Sequence, residues 1–311
     1  MLPSQRELFN IPRNVCYLNA ASWSPLPITV QDAGRAGAVR KGQPWLIDPA
    51  FAREQHERAR RAAAHVISAD PEDVALISSV SYGVATAAKM SNVPTGSRVL
   101  VLQNDHSSAV LEWITRAPVV QFMVDVVPQL DDGDWTAAIL TAIERPHASP
   151  IALASISCVH WSDGGTVDLE AVAVALRRAG ASLLVDATQA AGTLAIDVRR
   201  IDPDFLVFPT YKWLLGPYGR AFLYIAKRRQ EGEPLEQTSY GRHGISSEHE
   251  IYFRDLEFVK GAAFRYGRTR SFHLAGNGLD WNGDGGAMET LSRRGCARSR
   301  GDWQRGCAIA A

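Results

Sequence analysis

The sequence predicts an α/β fold in which a mainly parallel sheet lies between helices. Three observations carry that expectation. Short apolar runs bounded by turn residues recur along the chain, as in strands buried on both faces of a parallel sheet. Capped amphipathic stretches lie between some of these runs. Polar residues sit just beyond the carboxyl ends of the runs, where open α/β sheets bind ligands.

Taken in order, Val15 to Asn19 reads as a short strand entering A-A-S-W-S-P-L-P, a tight loop. Asp48 caps a helix whose first turn holds Pro49 and which runs to about Ile67. Phe51, Ala59, Ala63, Val66 and Ile67 are available for burial, and the charged residues form a solvated face. Val74 to Ile77 is a strand, followed by S-S-V-S-Y-G and an alanine-rich helix, a layout that offers helix amides to a phosphate. Val99 to Leu102 and Val119 to Val127 read as strands, with D-D-G-D as a turn. Ile151 to Ile156 is another. Asp168 then caps a helix with Leu169, Val172 and Leu176 inward and Gly180 as its stop. Leu183 to Val185, Phe205 to Phe208 and Ala221 to Ile225 complete the strands.

Composition is that of an ordinary globular protein. The 311 residues are 46% hydrophobic and 21% charged, ample for one large core or two domains. Lys plus Arg and Asp plus Glu both number 33, so nothing argues for nucleic acid or an anionic membrane surface as partner. No apolar run reaches membrane-spanning length, and the first residues lack a signal-peptide core. Cys16, Cys158, Cys296 and Cys307 have no metal-ligand spacing and read as free thiols of a reducing cytoplasm.

Asp186 ends one apolar run, and Lys212 lies just beyond the next, flanked by Tyr211, Trp213, Leu214 and Leu215. Desolvation there lowers a lysine's proton affinity and sharpens its amine as a nucleophile. The spacing admits two readings. One is a surface lysine and an N-capping aspartate. The other is a pyridoxal phosphate site, with the lysine forming a Schiff base and the carboxylate keeping the ring nitrogen protonated. A nicotinamide site is disfavoured, because no G-x-G-x-x-G follows the first strand.

D-A-T-Q-A-A-G followed by Y-K-W-L-L-G-P-Y-G resembles the class V aminotransferases, a family with cysteine desulfurases, isopenicillin N epimerase-like proteins and kynureninase among its members. The resemblance runs from about Tyr17 to the early 260s. It implies a pyridoxal-phosphate-dependent large domain over 16–235, after an N-terminal segment, 1–15. Residues 236–263 begin a small C-terminal domain that stays incomplete. It further implies Asp186 on the pyridine nitrogen, Gln189 on the ring hydroxyl and Lys212 as the Schiff-base residue. Ser81, Tyr82 and Gly83 match the turn that holds the cofactor phosphate; a capping role is the alternative for Ser81. N-D-H-S-S-A-V-L-E-W resembles the segment whose histidine stacks on the ring, which implies His106.

Departures from the family pattern cluster near the lysine. Pro209 replaces a phosphate-binding Ser and Tyr211 a His, leaving Thr210 to supply a hydroxyl and Tyr211 to reach the phosphate. Trp161 falls where many relatives have Asn, and His160, Trp161 and Ser162 line the pocket without assigned roles. These changes resemble the epimerase-like branch. The resemblance implies transamination, epimerisation, C–S lyase or desulfurase chemistry on an amino acid. It also implies a cytoplasmic homodimer with Ser239, Tyr240, Gly241 and Arg242 near the partner's site. The alternative is a cofactor-binding remnant without turnover.

From about Phe264 the texture changes: Gly, Arg and Trp are in excess, and helical and strand periodicity is lost. Neither Arg268, Arg270 nor any later arginine matches the family's substrate-carboxylate motif. F-R-Y-G-R-T-R-S-F-H can be encoded so that the frame one base later reads S-D-M-G-E-R-D-H-F-I, which resembles the family segment F-D-M-G-E-R. Residues 264–311 are therefore expected to be an out-of-frame, poorly ordered tail that buries little apolar surface.

Overall fold

A computed structural model describes residues 3–237. The readings for Ser239 to Arg242, for Arg268 and Arg270, for Cys296 and Cys307, and for the tail lie outside the described residues.

Two helices precede the sheet, α1 (Ile28–Lys41) and α2 (Pro49–Val66). Then follow β1 (Val74–Ile77), α3 (Val80–Met90), β2 (Arg98–Leu102), α4 (Ser107–Val120), β3 (Met123–Val127) and α5 (Trp135–Ile143). β4 (Ile151–Ser157), α6 (Leu169–Arg178), β5 (Ser182–Asp186), α7 (Val198–Ile201), β6 (Phe205–Pro209) and β7 (Ala221–Ile225) complete the described chain. Most strands match the apolar runs.

Among the described residues the sheet has seven strands in the order β1-β7-β6-β5-β4-β2-β3. Its β6-β5-β4-β2-β3 portion is parallel, and β7 runs antiparallel to both β6 and β1. Successive strand residues face opposite sides. Leu183, Val185, Leu206 and Phe208 join a core with Trp135, Ile139, Val172 and Leu176, on the side of α5 and α6. Leu184, Phe205 and Val207 join a second core with Val84 and Trp113, on the side of α3 and α4. Each fully buried Leu, Val or Phe contributes about 1.5–3 kcal/mol.

Side-chain caps fix where the helices start. Asp48 Oδ1 accepts from Ala50 N, and Asp168 Oδ1 from Glu170 N and Ala171 N, as their positions predict. At the far end from the candidate site, Asp204 ties β5 to β6. Its carboxylate accepts from Leu183 N at 2.9 Å, Arg229 Nε at 2.7 Å and Arg228 Nε at 3.0 Å.

Two expected strands are corrected. Val15 to Asn19 is not a strand, since it joins no ladder among the described residues, while the expected tight loop follows it, with the Ser22 and Trp23 amides on Asn19 O. Val119 and Val120 end α4, and Gln121 breaks the apolar run in the left-handed region (φ 65°), so the strand begins only at Met123. No helix among the described residues is long and apolar enough to cross a membrane.

Candidate active site

Loops from four parallel strands converge at one end of the sheet. Cys158 N donates to Asp186 O, Ala187 N to Val207 O, and Ser157 Oγ to Asp105 Oδ1, which binds the ends of β4, β5, β6 and the loop after β2 together.

Asp186 closes β5 and is 4% exposed. Its Oδ1 accepts from Thr188 N at 2.8 Å. Burial pushes its carboxyl up to about 6, against the hydrogen bonds from Thr188; Asp105 adds to the rise and Lys212 opposes it. Lys212, 7% exposed, has its ammonium destabilised by burial and partly restored by Asp186. The pair is thus a buried acid and a buried amine within electrostatic reach. That removes the reading of a surface lysine with a capping aspartate.

The loop that presents Lys212 is held from within. Thr210 is fully buried; its Oγ1 donates to Pro217 O at 2.7 Å, and Gly216 N donates to Thr210 O at 2.8 Å. A Cβ at Gly216 would lie 2.6 Å from Thr210 Cβ, so only glycine permits this approach. The Thr210 hydroxyl therefore clamps the turn that presents Lys212. Tyr211 O accepts from Ser24 Oγ at 2.9 Å and Ser24 N at 3.1 Å, pinning the N-terminal loop beside the lysine. The Tyr211 ring stacks on Tyr218 at 3.8 Å, and Tyr218 lies 4.8 Å from Trp23. Burial raises the Tyr211 hydroxyl's proton affinity, with its bond to Tyr218 adding to this. Lys212 Nζ stands 6.0 Å from the Tyr211 ring centre.

Gln189 joins two loops. Its Oε1 accepts from Trp213 Nε1 at 2.8 Å, and its Nε2 donates to Ala21 O at 3.3 Å.

His106 is the N-cap of α4, its Nδ1 accepting from Ser108 N at 3.3 Å. Burial lowers its proton affinity, Lys212 lowers it further, and Asp105 partly restores it. Trp161, half exposed, meets it edge-on at 5.9 Å and donates to Asn104 O at 2.7 Å.

Ser79, not Ser81, caps α3, accepting from Tyr82 N at 3.1 Å. Ser81 and Tyr82 stand in the first helical turn, whose amides suit an anion. Gly83 lets that turn approach β6: a Cβ there would lie 2.6 Å from Val207 Cγ1.

His160 and Ser162 are loop scaffold rather than pocket wall. His160 Nε2 donates to Gln103 O at 3.0 Å, and its ring stacks on Trp135 at 4.7 Å. Ser162 Oγ bonds His160 Nδ1 at 3.2 Å. Asp163 takes Trp135 Nε1, Gln129 Nε2 and Gly165 N, which together fix the loop carrying Trp161.

Sequence reasoning missed Asp105 and Ser157. The adjacency of Asp105 to His106 was the available signal; nothing local marked Ser157. The site holds unmet demand: Asp105 Oδ2 and Thr188 Oγ1 are buried without a hydrogen-bond partner. A buried carboxylate, a buried amine, a helix N-terminus and a histidine within electrostatic reach of the amine are a donor set that fits pyridoxal phosphate.

A model of the aminotransferase class-V family matches residues 48–259. The chain is 30% identical over 247 residues to Uncharacterized aminotransferase YcbU of Bacillus subtilis, covering 78% of this chain and 64% of that protein. It is 29% identical over 243 residues to a cysteine desulfurase of Salmonella typhimurium, covering 75% and 58%. It thus spans between 58% and 64% of the length of these curated relatives. Among solved structures, the apo cysteine desulfurase of Thermococcus onnurineus superposes with a TM-score of 0.76 at 19% identity, over 93% of this chain and 70% of that one. The cystine C–S lyase C-DES, in complex with cysteine persulfide, gives 0.73 at 21% identity, over 91% and 73%. At such identities the similarity is one of fold.

Proposed function

Because the chain belongs to the class V aminotransferase family, we propose that it binds pyridoxal 5′-phosphate and transforms an amino acid through Lys212. The observation that carries this is the buried pair of Asp186 and Lys212 on neighbouring strand ends. The cofactor supplies an aldehyde that bonds amines and a ring that accepts electrons when protonated.

The residues divide the work as follows. Lys212 Nζ is the amine for the aldehyde and, when free, the base for a substrate's α-proton. Its lowered proton affinity favours both tasks. Asp186 is a buried carboxylate with no cation beyond Lys212 among the groups that shift its proton affinity, so a ring N–H⁺ satisfies it. His106 covers the ring face, and the first turn of α3 with Ser81, Tyr82 and Gly83 takes the phosphate, with Tyr211 near it. Gln189 supports the ring hydroxyl through the amide that also holds Trp213.

The reaction is transamination, epimerisation or C–S lyase chemistry. Desulfuration ranks lower: Cys158 is buried, and burial with Asp186 nearby pushes its thiol towards the protonated form, the opposite of an accessible sulfur carrier. The protein works as a cytoplasmic homodimer, with an amino acid as its substrate. A second reading is a cofactor-binding protein without turnover, favoured by the absence of a matching carboxylate-binding arginine beyond Phe264. Both readings expect bound cofactor, and only the first expects α-proton exchange. The test is an absorbance spectrum of the full chain with pyridoxal phosphate, followed by exchange in D2O across an amino-acid panel. No spectral change on adding cofactor refutes both readings.

A further inference from the structure

Asp105 stands in the loop between β2 and α4, and no role above uses it. Its Oδ1 is doubly engaged, accepting from His106 N at 2.7 Å and from Ser157 Oγ at 2.7 Å. Ser157 is the last residue of β4 and is 5% exposed. The carboxylate therefore braces the loop after one parallel strand against the end of its neighbour. His106, next in sequence, begins α4 at the point so fixed. The other oxygen, Oδ2, is buried without a partner. Leaving a buried acceptor unmet costs about 1–3 kcal/mol, more for a charged one, and a neutral side chain would avoid most of that. A fold that needed only a brace has no reason to carry this charge.

We propose that Asp105 is a positioning residue of the site: through Ser157 it sets where His106 stands, and its unpartnered oxygen keeps a negative charge beside His106 and Asp186. This rests on the reading of His106 as the residue facing the cofactor. The charge acts on both neighbours in one direction. Asp105 raises the proton affinity of His106, against burial and against Lys212. It raises that of Asp186 too, in step with burial. Ser108 N donates to the imidazole Nδ1 and Trp161 meets its edge; of the two charges that act on the ring, Lys212 disfavours the cationic form and Asp105 favours it. The carboxylate partly offsets the fall in His106 proton affinity that burial and the ammonium cause. Without it, both the place and the protonation of the ring change.

The experiment uses the full chain with Asp105→Asn, which keeps an acceptor and removes the charge, and Ser157→Ala, which keeps the charge and removes the brace. In the protein without added cofactor, the His106 ring is followed by NMR against pH, its signal assigned by loss in His106→Gln. The midpoint is expected to fall in Asp105→Asn. With pyridoxal phosphate bound, α-proton exchange is expected to fall roughly tenfold to a hundredfold in either variant, as misplacement of a site group does, while cofactor affinity holds. An unchanged His106 midpoint in Asp105→Asn overturns the proposal. If that variant does not fold, Ser157→Ala decides: wild-type exchange overturns it. If the wild type forms no adduct with the cofactor, the functional reading fails while the His106 titration still decides the part played by Asp105.

Discussion

Trp213 Nε1 donates to Gln189 Oε1 at 2.8 Å, so the residue after Lys212 is tied to the turn that follows Asp186. The loops bearing the amine and the acid thus cannot drift apart without breaking this bond. Trp213→Phe keeps most of the ring and removes the donor. The expected loss is about 1 kcal/mol in urea unfolding, together with slower formation of the Lys212 adduct. A variant with unchanged stability and adduct rate would show that the bond fixes nothing.

Lys212 is the expected covalent residue. Borohydride reduction of the cofactor-loaded protein and peptide mapping should place the pyridoxyl group on Lys212. Lys212→Ala should lower α-proton exchange by roughly a hundredfold to ten-thousandfold, the usual contribution of a positioned base. A label on any other lysine sinks the assignment.

Asp186 should cost the cofactor-free protein stability in a pH-dependent way. Its folded proton affinity is raised to about 6 from the ordinary 3.8. The folded state therefore binds this proton more tightly than the unfolded chain does. The resulting stability is fully present below pH 4 and is lost as pH rises through 6, a change of about 3 kcal/mol. Asp186→Asn lacks that loss, so without cofactor it should gain on the wild type between pH 4 and pH 7. With cofactor the same variant should bind weakly and exchange no α-protons. Parallel stability profiles for the two proteins would refute the assignment of this shift.

Gly83→Ala should overpack the contact between α3 and β6. The added methyl would stand 2.6 Å from Val207 Cγ1 and 2.9 Å from Ile77 Cδ1, both in the buried sheet. The expected destabilisation is about 1–3 kcal/mol, with weaker phosphate affinity because the first turn of α3 must retreat. Val207→Ala in the same chain should recover part of both. If the double variant is no better than the sum of the singles, the clash is elsewhere.

The out-of-frame reading of residues 264–311 is tested by the nucleotide sequence across the codons for Lys260 to Arg270. The family match ends at residue 259, just before the change in texture. A one-base-shifted frame without a continuous family-like C-terminal domain would end the idea.

Much of this was legible in sequence because it rests on local patterns. Apolar runs located most strands, Asp48 and Asp168 marked two helix starts, and D-A-T-Q with Y-K pointed to the acid and the amine. What failed depended on distant partners. The run V-V-Q-F-M-V stays apolar across the end of α4, so only the left-handed Gln121 divides helix from strand. Ser81 was the capping alternative in sequence, but Ser79 is the residue that accepts from Tyr82 N. That Thr210 also holds the turn depends on Pro217 and Gly216 folding back onto it. Asp105 gained its meaning from Ser157, 52 residues away.

Strand β1 completes its place in the sheet late in synthesis. Its sheet partner is β7, which forms from residues 221–225, almost 150 residues downstream of residues 74–77. Until β7 emerges, Val74 to Ile77 lack the strand they bond among the described residues. A nascent chain halted before Ala221 would carry this unpaired apolar strand, a template for wrong pairing. Such long-range closure also predicts slow folding relative to a helical chain of this size. The reversed strand that flanks the Lys212 loop is thus also the one that β1 waits for.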